Sequence, residues 1–215
     1  IRDKGLSLLG KTGDVISTII NWNDEVSNDI TEAKKMILLE KYFNKSESNE
    51  KSITMLKDFL VNPQGNTIFN KVLRIVDDSP PDQELMEHLS SALKYIVGCG
   101  RFEELFEQHK YALAQIERLT PQALTIIADK DQWPPIKLGF SVVTGAKVTS
   151  DWYSEFTSAY CTKKGIHSKD IYKRIQHSII ALQSQGIMEA YKGENSIIYC
   201  ELTHVGKDLI PYVFN

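Results

Sequence analysis

The chain has 215 residues, with 25 Lys+Arg against 28 Asp+Glu, a formal net charge of -3. At 42% hydrophobic and 25% charged it has the make-up of an ordinary globular protein, which excludes a collagen-like repeat, a disordered tail and a disulfide scaffold. The slight acidity removes the simplest signature of nucleic-acid binding, a strongly basic chain.

Charge and cysteine usage refine this. Residues 1–132 carry 16 basic and 21 acidic side chains, and residues 133–215 carry 9 and 7. A helical part at -5 and a later part at +2 suggest two bodies with different work. Cys99, Cys161 and Cys200 are odd in number and far apart, as expected of buried thiols in a reducing cytoplasm. No run reaches the ~20 apolar residues of a membrane span. The chain opens on Ile1 and not on Met, so its native N-terminus is expected to lie upstream or to have been trimmed.

In chain order, Leu6, Leu9, Val15, Ile16, Ile19, Ile20 and Trp22 make a loosely amphipathic opening segment. Asp29 or Thr31 is placed to cap a helix with Ala33, Met36, Ile37, Leu39, Tyr42 and Phe43 inward. The polar stretch from Asn44 to Lys51 reads as a loop. Ile53, Leu56, Phe59 and Leu60 form the next stripe. Pro63, Gly65 and Asn66 break it, and Ile68, Phe69, Val72, Leu73 and Val76 resume it. Ser79 as cap with Pro80 at the first helical position predicts another start. Its stripe is Leu85, Leu89, Ala92, Leu93 and Ile96, ended by Gly98 and Gly100. Phe102, Leu105, Phe106, His109, Leu113 and Ile116 follow, with His109 read as a core histidine.

From Thr120 the pattern changes. Thr120-Pro121 starts a helix through Ala123, Leu124, Ile126 and Ile127, and Trp133-Pro134-Pro135 stops it. Ile136 to Thr144 is β-branched and predicts a strand. A helix over Ser150–Thr162 has Trp152, Phe156, Ala159 and Tyr160 inward, and Gly165 turns the chain. Ser168 caps a longer helix with Ile171, Ile175, Ile179 and Leu182 on one face, closed by Gly186. Ile187–Tyr191 and Ser196–Leu202 alternate around Lys192-Gly193-Glu194-Asn195, a hairpin pattern. A last helix runs from Thr203 through Leu209.

The sequence Ala181-Leu182-Gln183-Ser184-Gln185-Gly186-Ile187, then the hairpin, then Leu202-Thr203-His204-Val205-Gly206-Lys207-Asp208-Leu209 resembles the winged helix-turn-helix family. The resemblance covers roughly the last ~97 residues and is specific for fold, not for partner. It implies a mainly α protein with a helical array or bundle over 1–118 and, over 119–215, a winged helix-turn-helix domain with a small β-hairpin wing. The full layout is also loosely similar to uncharacterised bacterial proteins linked to phage abortive infection.

In such a fold the helix 168–185 docks by Ile171, Ile175, Ile179 and Leu182 and presents Lys169, Tyr172, Lys173 and Gln176 to a major groove. Gln pairs with adenine, and Lys and Tyr reach phosphates. Ser168 at the helix N-terminus, Lys164 in the turn, and Lys192 and Asn195 at the wing (191–196) extend the candidate DNA contacts. Asp170 and Glu194 lie among them and weaken monomer binding; a homodimer doubles the contacts. The expected protein is a cytoplasmic, non-enzymatic, bacterial DNA-binding protein, a transcriptional regulator or phage-defence accessory. The alternative is a protein–protein interaction module in which the same winged helix contacts a partner protein.

Two other motifs are set aside. Gly5-Leu6-Ser7-Leu8-Leu9-Gly10-Lys11-Thr12 matches the P-loop spacing but lacks the strand that must precede it. Cys200-x3-His204 has ligand-like spacing, but Cys200 alternates with Ile198 and Leu202 on the inward face of a strand. No catalytic residue, cofactor or metal is expected.

Overall fold

A computed structural model of the chain describes residues 29–46, 49–79, 82–137, 152–192 and 197–213. The opening amphipathic segment, the P-loop-like stretch, most of the strand expected over 136–144 and the wing tip with Asn195 lie outside the described residues. Within them the protein is mainly helical, with nine α-helices and one small antiparallel sheet. None of these helices is long and apolar enough to cross a membrane. The chain divides into two compact units, one ending at Glu117 and one running from Arg118 to Val213.

The first unit holds α1 (Asp29–Asn44), α2 (Asn49–Val61), α3 (Pro63–Asp78), α4 (Gln83–Gly98) and most of α5 (Phe106–Arg118). Helix α1 packs on α4, α3 and α2. Leu38, Leu39, Tyr42 and Phe43 of α1 meet a core that includes Leu56 and Phe59, Val72 and Val76, and Leu89 and Leu93. The apolar period alone put Ile37 inside, yet it is 41% exposed. Lys34 takes an inward position instead. Its Nζ donates to the carbonyls of Val76 at 3.2 Å, Asp77 at 3.3 Å and Ser79 at 2.5 Å. An ammonium therefore caps the negative end of α3 while its alkyl stem is buried.

The loop expected over Asn44–Lys51 is shorter, since α2 starts at Asn49, and two further boundaries also differ from expectation. Pro63, Gly65 and Asn66 do not form a loop; they are the first turn of α3. Asn62 is the only residue between the helices, and its side chain accepts from the amides of Gln64 and Gly65. Pro63 suits the first helical position, where no N–H is needed. Gly65 is required by close approach, since a Cβ there would lie 2.0 Å from the Phe59 carbonyl oxygen. Likewise α4 is capped not by Ser79 but by Asp82, whose carboxylate accepts from Glu84 and Leu85 amides at 2.8 and 3.0 Å. Ser79 ends α3 and donates to Ile75.

Glu87 on α4 pairs with Lys41 at 2.8 Å and with Lys45. The hydrogen bonds from Lys41 and Lys45 hold its carboxyl down at about 2, from an ordinary value of 4.5. A depressed carboxyl stabilises the fold above its unfolded value and loses that contribution as pH falls. The melting temperature of the protein is therefore expected to drop between pH 4.5 and 2, more steeply than in Glu87→Gln. Equal acid limbs in both proteins would remove Glu87 as a cause. The side chain is 38% exposed, so solvent screens much of the effect.

The second unit holds α6 (Pro121–Ala128), β1 (Ile136–Lys137), α7 (Trp152–Lys164), α8 (Lys169–Ser184), β2 (Met188–Lys192), β3 (Ile197–Leu202) and α9 (His204–Val213). Thr120 caps α6, accepting from the Ala123 amide at 3.2 Å, with Pro121 at the first position. The sheet order is β1-β3-β2, with both pairings antiparallel. Helix α8 packs on α7, α6 and β2, and α9 packs on α6 and β3. Inward residues are Trp152, Phe156, Tyr160, Ile175, Ile179, Leu182, Met188, Ala190, Ile198 and Leu209. Thr203 starts α9 by accepting from the Gly206 amide at 3.2 Å, and the helix runs past Leu209 to Val213 with Pro211 inside it.

Candidate nucleic-acid interface

Helix α7, a short turn and helix α8 form the centre of the second unit. Gly165 takes φ 66, and Ser168 begins α8 with its hydroxyl accepting from the Ile171 amide at 3.5 Å. Ile175, Ser178, Ile179 and Leu182 are buried, which fixes the rotation of the helix. Ser178 is held by Thr120 at 3.1 Å. At about 100° per residue, positions two before and two after Ile175 point almost directly away from the core. Those positions are Lys173 and His177, both exposed.

The eight candidate contacts separate into three groups. Lys169 and Lys173 are exposed on α8, and Ser168 is exposed at its start. Tyr172 and Gln176 are half-buried and committed elsewhere: the Tyr172 hydroxyl donates to the Ser154 carbonyl at 3.2 Å, and the Gln176 amide donates to the Ser154 hydroxyl at 2.9 Å. Burial, with Cys161 and Glu155 nearby, also pushes the Tyr172 phenol up. Both side chains therefore fasten α8 to α7. Lys164 is turned back to Asp129 at 2.8 Å, whose carboxylate also accepts from the Tyr160 hydroxyl at 2.5 Å. A paired carboxylate holds that ammonium better than water does when its partner is only 17% exposed. Lys192 closes β2 opposite Ile198, and Asn195 lies outside the described residues.

Arg174, exposed on α8 next to Lys173, belongs to this surface and escaped the sequence reading. Residues 169, 172, 173 and 176 form one helical stripe, and Arg174 lies on the opposite flank. An arginine five residues into a capped, docked helix was signal enough. From Trp152 to Ser184 the charged residues are Lys163, Lys164, Lys169, Lys173 and Arg174 against Glu155 and Asp170.

Other polar groups offer less. Burial pushes the Cys200 thiol up to about 12 and the Cys161 thiol also upward, which disfavours the thiolate that a metal needs. Among the described residues no group of three His, Cys, Asp or Glu side chains converges on a point. His109, read as a core histidine, is fully buried; burial lowers its pKa, and its Nε2 lies 3.8 Å from Cys99 Sγ. No family model, curated protein or solved structure matches the chain.

Proposed function

We propose that the second unit is a winged helix-turn-helix that binds DNA through α8, with the β2–β3 hairpin as its wing, in a non-enzymatic protein acting as a regulator or phage-defence accessory. The observation that carries this reading is the exposed cations of α8, with Lys173 opposite the docked residues and Lys169 and Arg174 on its two flanks. The element order helix, strand, helix, helix, strand, strand, helix and the sheet order β1-β3-β2 support it. In this arrangement Lys169 and Lys173 contact phosphates. Arg174 has the donor fork that pairs bidentately with guanine, a role that Gln176, tied to Ser154, does not fill.

The small number of cations sets a modest affinity and a shallow salt dependence, with each phosphate contact adding about -0.9 to the slope of log K against log salt. Fluorescence anisotropy with mixed-sequence duplexes at low salt tests this. Lys173→Ala is expected to weaken all duplexes similarly and reduce the slope by about one unit, whereas Arg174→Ala costs about 1–3 kcal/mol on preferred duplexes only. Absence of binding at low salt retires the proposal. The reading of the second unit as a protein-binding module is favoured by one observation. Three of the eight polar side chains expected to face DNA, Lys164, Tyr172 and Gln176, are already engaged within the unit.

A further inference from the structure

Cys99 stands in a different setting from the other two cysteines. It closes α4 and is half-buried between Gly98 and Gly100, both exposed. A Cβ added at either glycine would meet no atom within 4 Å, so the turn that carries the thiol is uncrowded. Burial disfavours the thiolates of Cys161 and Cys200. Cys99 is also the only cysteine in residues 1–117. His109 on α5 stands beside it, with Nε2 at 3.8 Å from the sulfur. The imidazole is fully buried, and the Tyr95 ring meets it edge-on at 6.2 Å. Burial lowers its pKa from 6.5, so near pH 7 the ring is neutral and has a lone pair to offer. The thiol donates to the Ile96 carbonyl at 3.1 Å. It sits at the negative end of α4, where a standing thiolate is disfavoured. A base that takes the proton during attack therefore does more for reactivity here than a thiolate formed beforehand.

We propose that Cys99 is an oxidation site for hydrogen peroxide, with His109 as the proton acceptor. The S–H bond turns from the Ile96 carbonyl toward Nε2 of His109, whose ring proton is then on Nδ1. The sulfur attacks one peroxide oxygen. An S–O bond forms and the O–O bond breaks. The thiol proton passes by way of Nε2 to the departing hydroxide, which leaves as water. Sulfur is oxidised by two electrons to the sulfenic acid, and the peroxide is reduced. A small uncharged oxidant suits the place, because the sulfur is half covered and the histidine beside it is neutral.

No second cysteine lies in residues 1–117 to resolve the product. A small thiol in solution restores Cys99 in two steps, first a mixed disulfide and then exchange with a second thiol. None of this chemistry involves α8, so it stands or falls apart from DNA binding.

The test is oxidation of the full chain by hydrogen peroxide with dimedone present to trap sulfenic acid, followed by mass spectrometry of each cysteine peptide. The adduct is expected on Cys99 well before Cys161 or Cys200. The rate of loss of the Cys99 thiol is then measured against pH. An ordinary thiol loses reactivity about tenfold per pH unit below about 8.5. With His109 accepting the proton, the Cys99 rate should stay nearly level from about pH 8.5 to 6.5 and fall only as the imidazole is itself protonated. His109→Gln, checked for cooperative melting, should restore the tenfold-per-unit fall and slow the reaction at pH 7 by about tenfold or more. Should that variant not fold, the wild-type profile decides by itself. Oxidation of Cys161 or Cys200 as fast as Cys99 overturns the proposal. So does a tenfold-per-unit fall in the wild type, or a level profile that persists in folded His109→Gln.

Discussion

Trp152→Ala is expected to destabilise the second unit by about 3–5 kcal/mol, the range for removing a fully buried aromatic side chain. Trp152 opens α7, is 0% exposed and heads the largest buried side chains. Its ring meets Phe156 edge-on at 6.2 Å, and Phe156 in turn meets Trp133 at 5.6 Å and Tyr160 at 6.0 Å. This aromatic row ties α7 to the segment after α6. Among the described residues the Trp152 Nε1 has no hydrogen-bond partner. An unmade buried hydrogen bond costs about 1–3 kcal/mol. Trp152→Phe is therefore expected to be much milder than Trp152→Ala, because losing the N–H offsets part of the lost volume. Urea unfolding followed by circular dichroism measures both. A cost below about 1 kcal/mol for the alanine variant, or equal costs for the two, contradicts this account of the core.

Gly206→Ala is the second large effect. Gly206 lies in the first turn of α9, and a Cβ there would stand 2.4 Å from the Ile187 carbonyl oxygen and 2.9 Å from Leu202 Cδ2. The first of these is backbone, fixed at the start of the strand that follows α8, and it also accepts from the Thr203 amide at 3.0 Å. Alanine gains about 1 kcal/mol in helix propensity, but overpacking costs about 1–3 kcal/mol or more. The contact is with backbone, so the upper end applies, and a net loss of about 2 kcal/mol is expected. Hydrogen exchange at the Thr203 and Gly206 amides should rise in step. A neutral or stabilising result would mean that α9 shifts freely against Ile187.

These two positions also show how much was legible beforehand. Leu202-Thr203-x-x-Gly206-x-x-Leu209 was recognisable as a pattern; the reason for its glycine was not, because Ile187 is nineteen residues away in sequence. Trp152 was expected inside from its spacing with Phe156 and Tyr160, and all three are buried. Similar local signals announced Thr120-Pro121 and Ser168, where a side-chain oxygen and the residues it caps are neighbours. Around Pro63 and Ser79 such signals misled. Proline and glycine read locally as breakers, while Asn62 and Asp82 are the groups with an acceptor at the right step.

By itself the sequence determined what depends on near neighbours. It set the helical character of the chain, the apolar face of α8 read as Ile171, Ile175, Ile179 and Leu182, of which the last three are buried and Ile171 is half-buried, and the alternation that makes β2 and β3 a hairpin. A period of 3.6 or 2 is enough to decide which side of an element is apolar. The tertiary structure decided the fate of polar side chains. Lys34 became a buried helix cap 42 residues from its first acceptor, Tyr172 and Gln176 became fasteners to Ser154, and Lys164 was drawn to Asp129. A polar group goes wherever a partner compensates its loss of water, and that partner is set by how distant elements pack. The apolar stripe was therefore readable from one element alone, whereas which polar side chains of α8 stay exposed was decided only by the partners that Tyr172 and Gln176 found on α7.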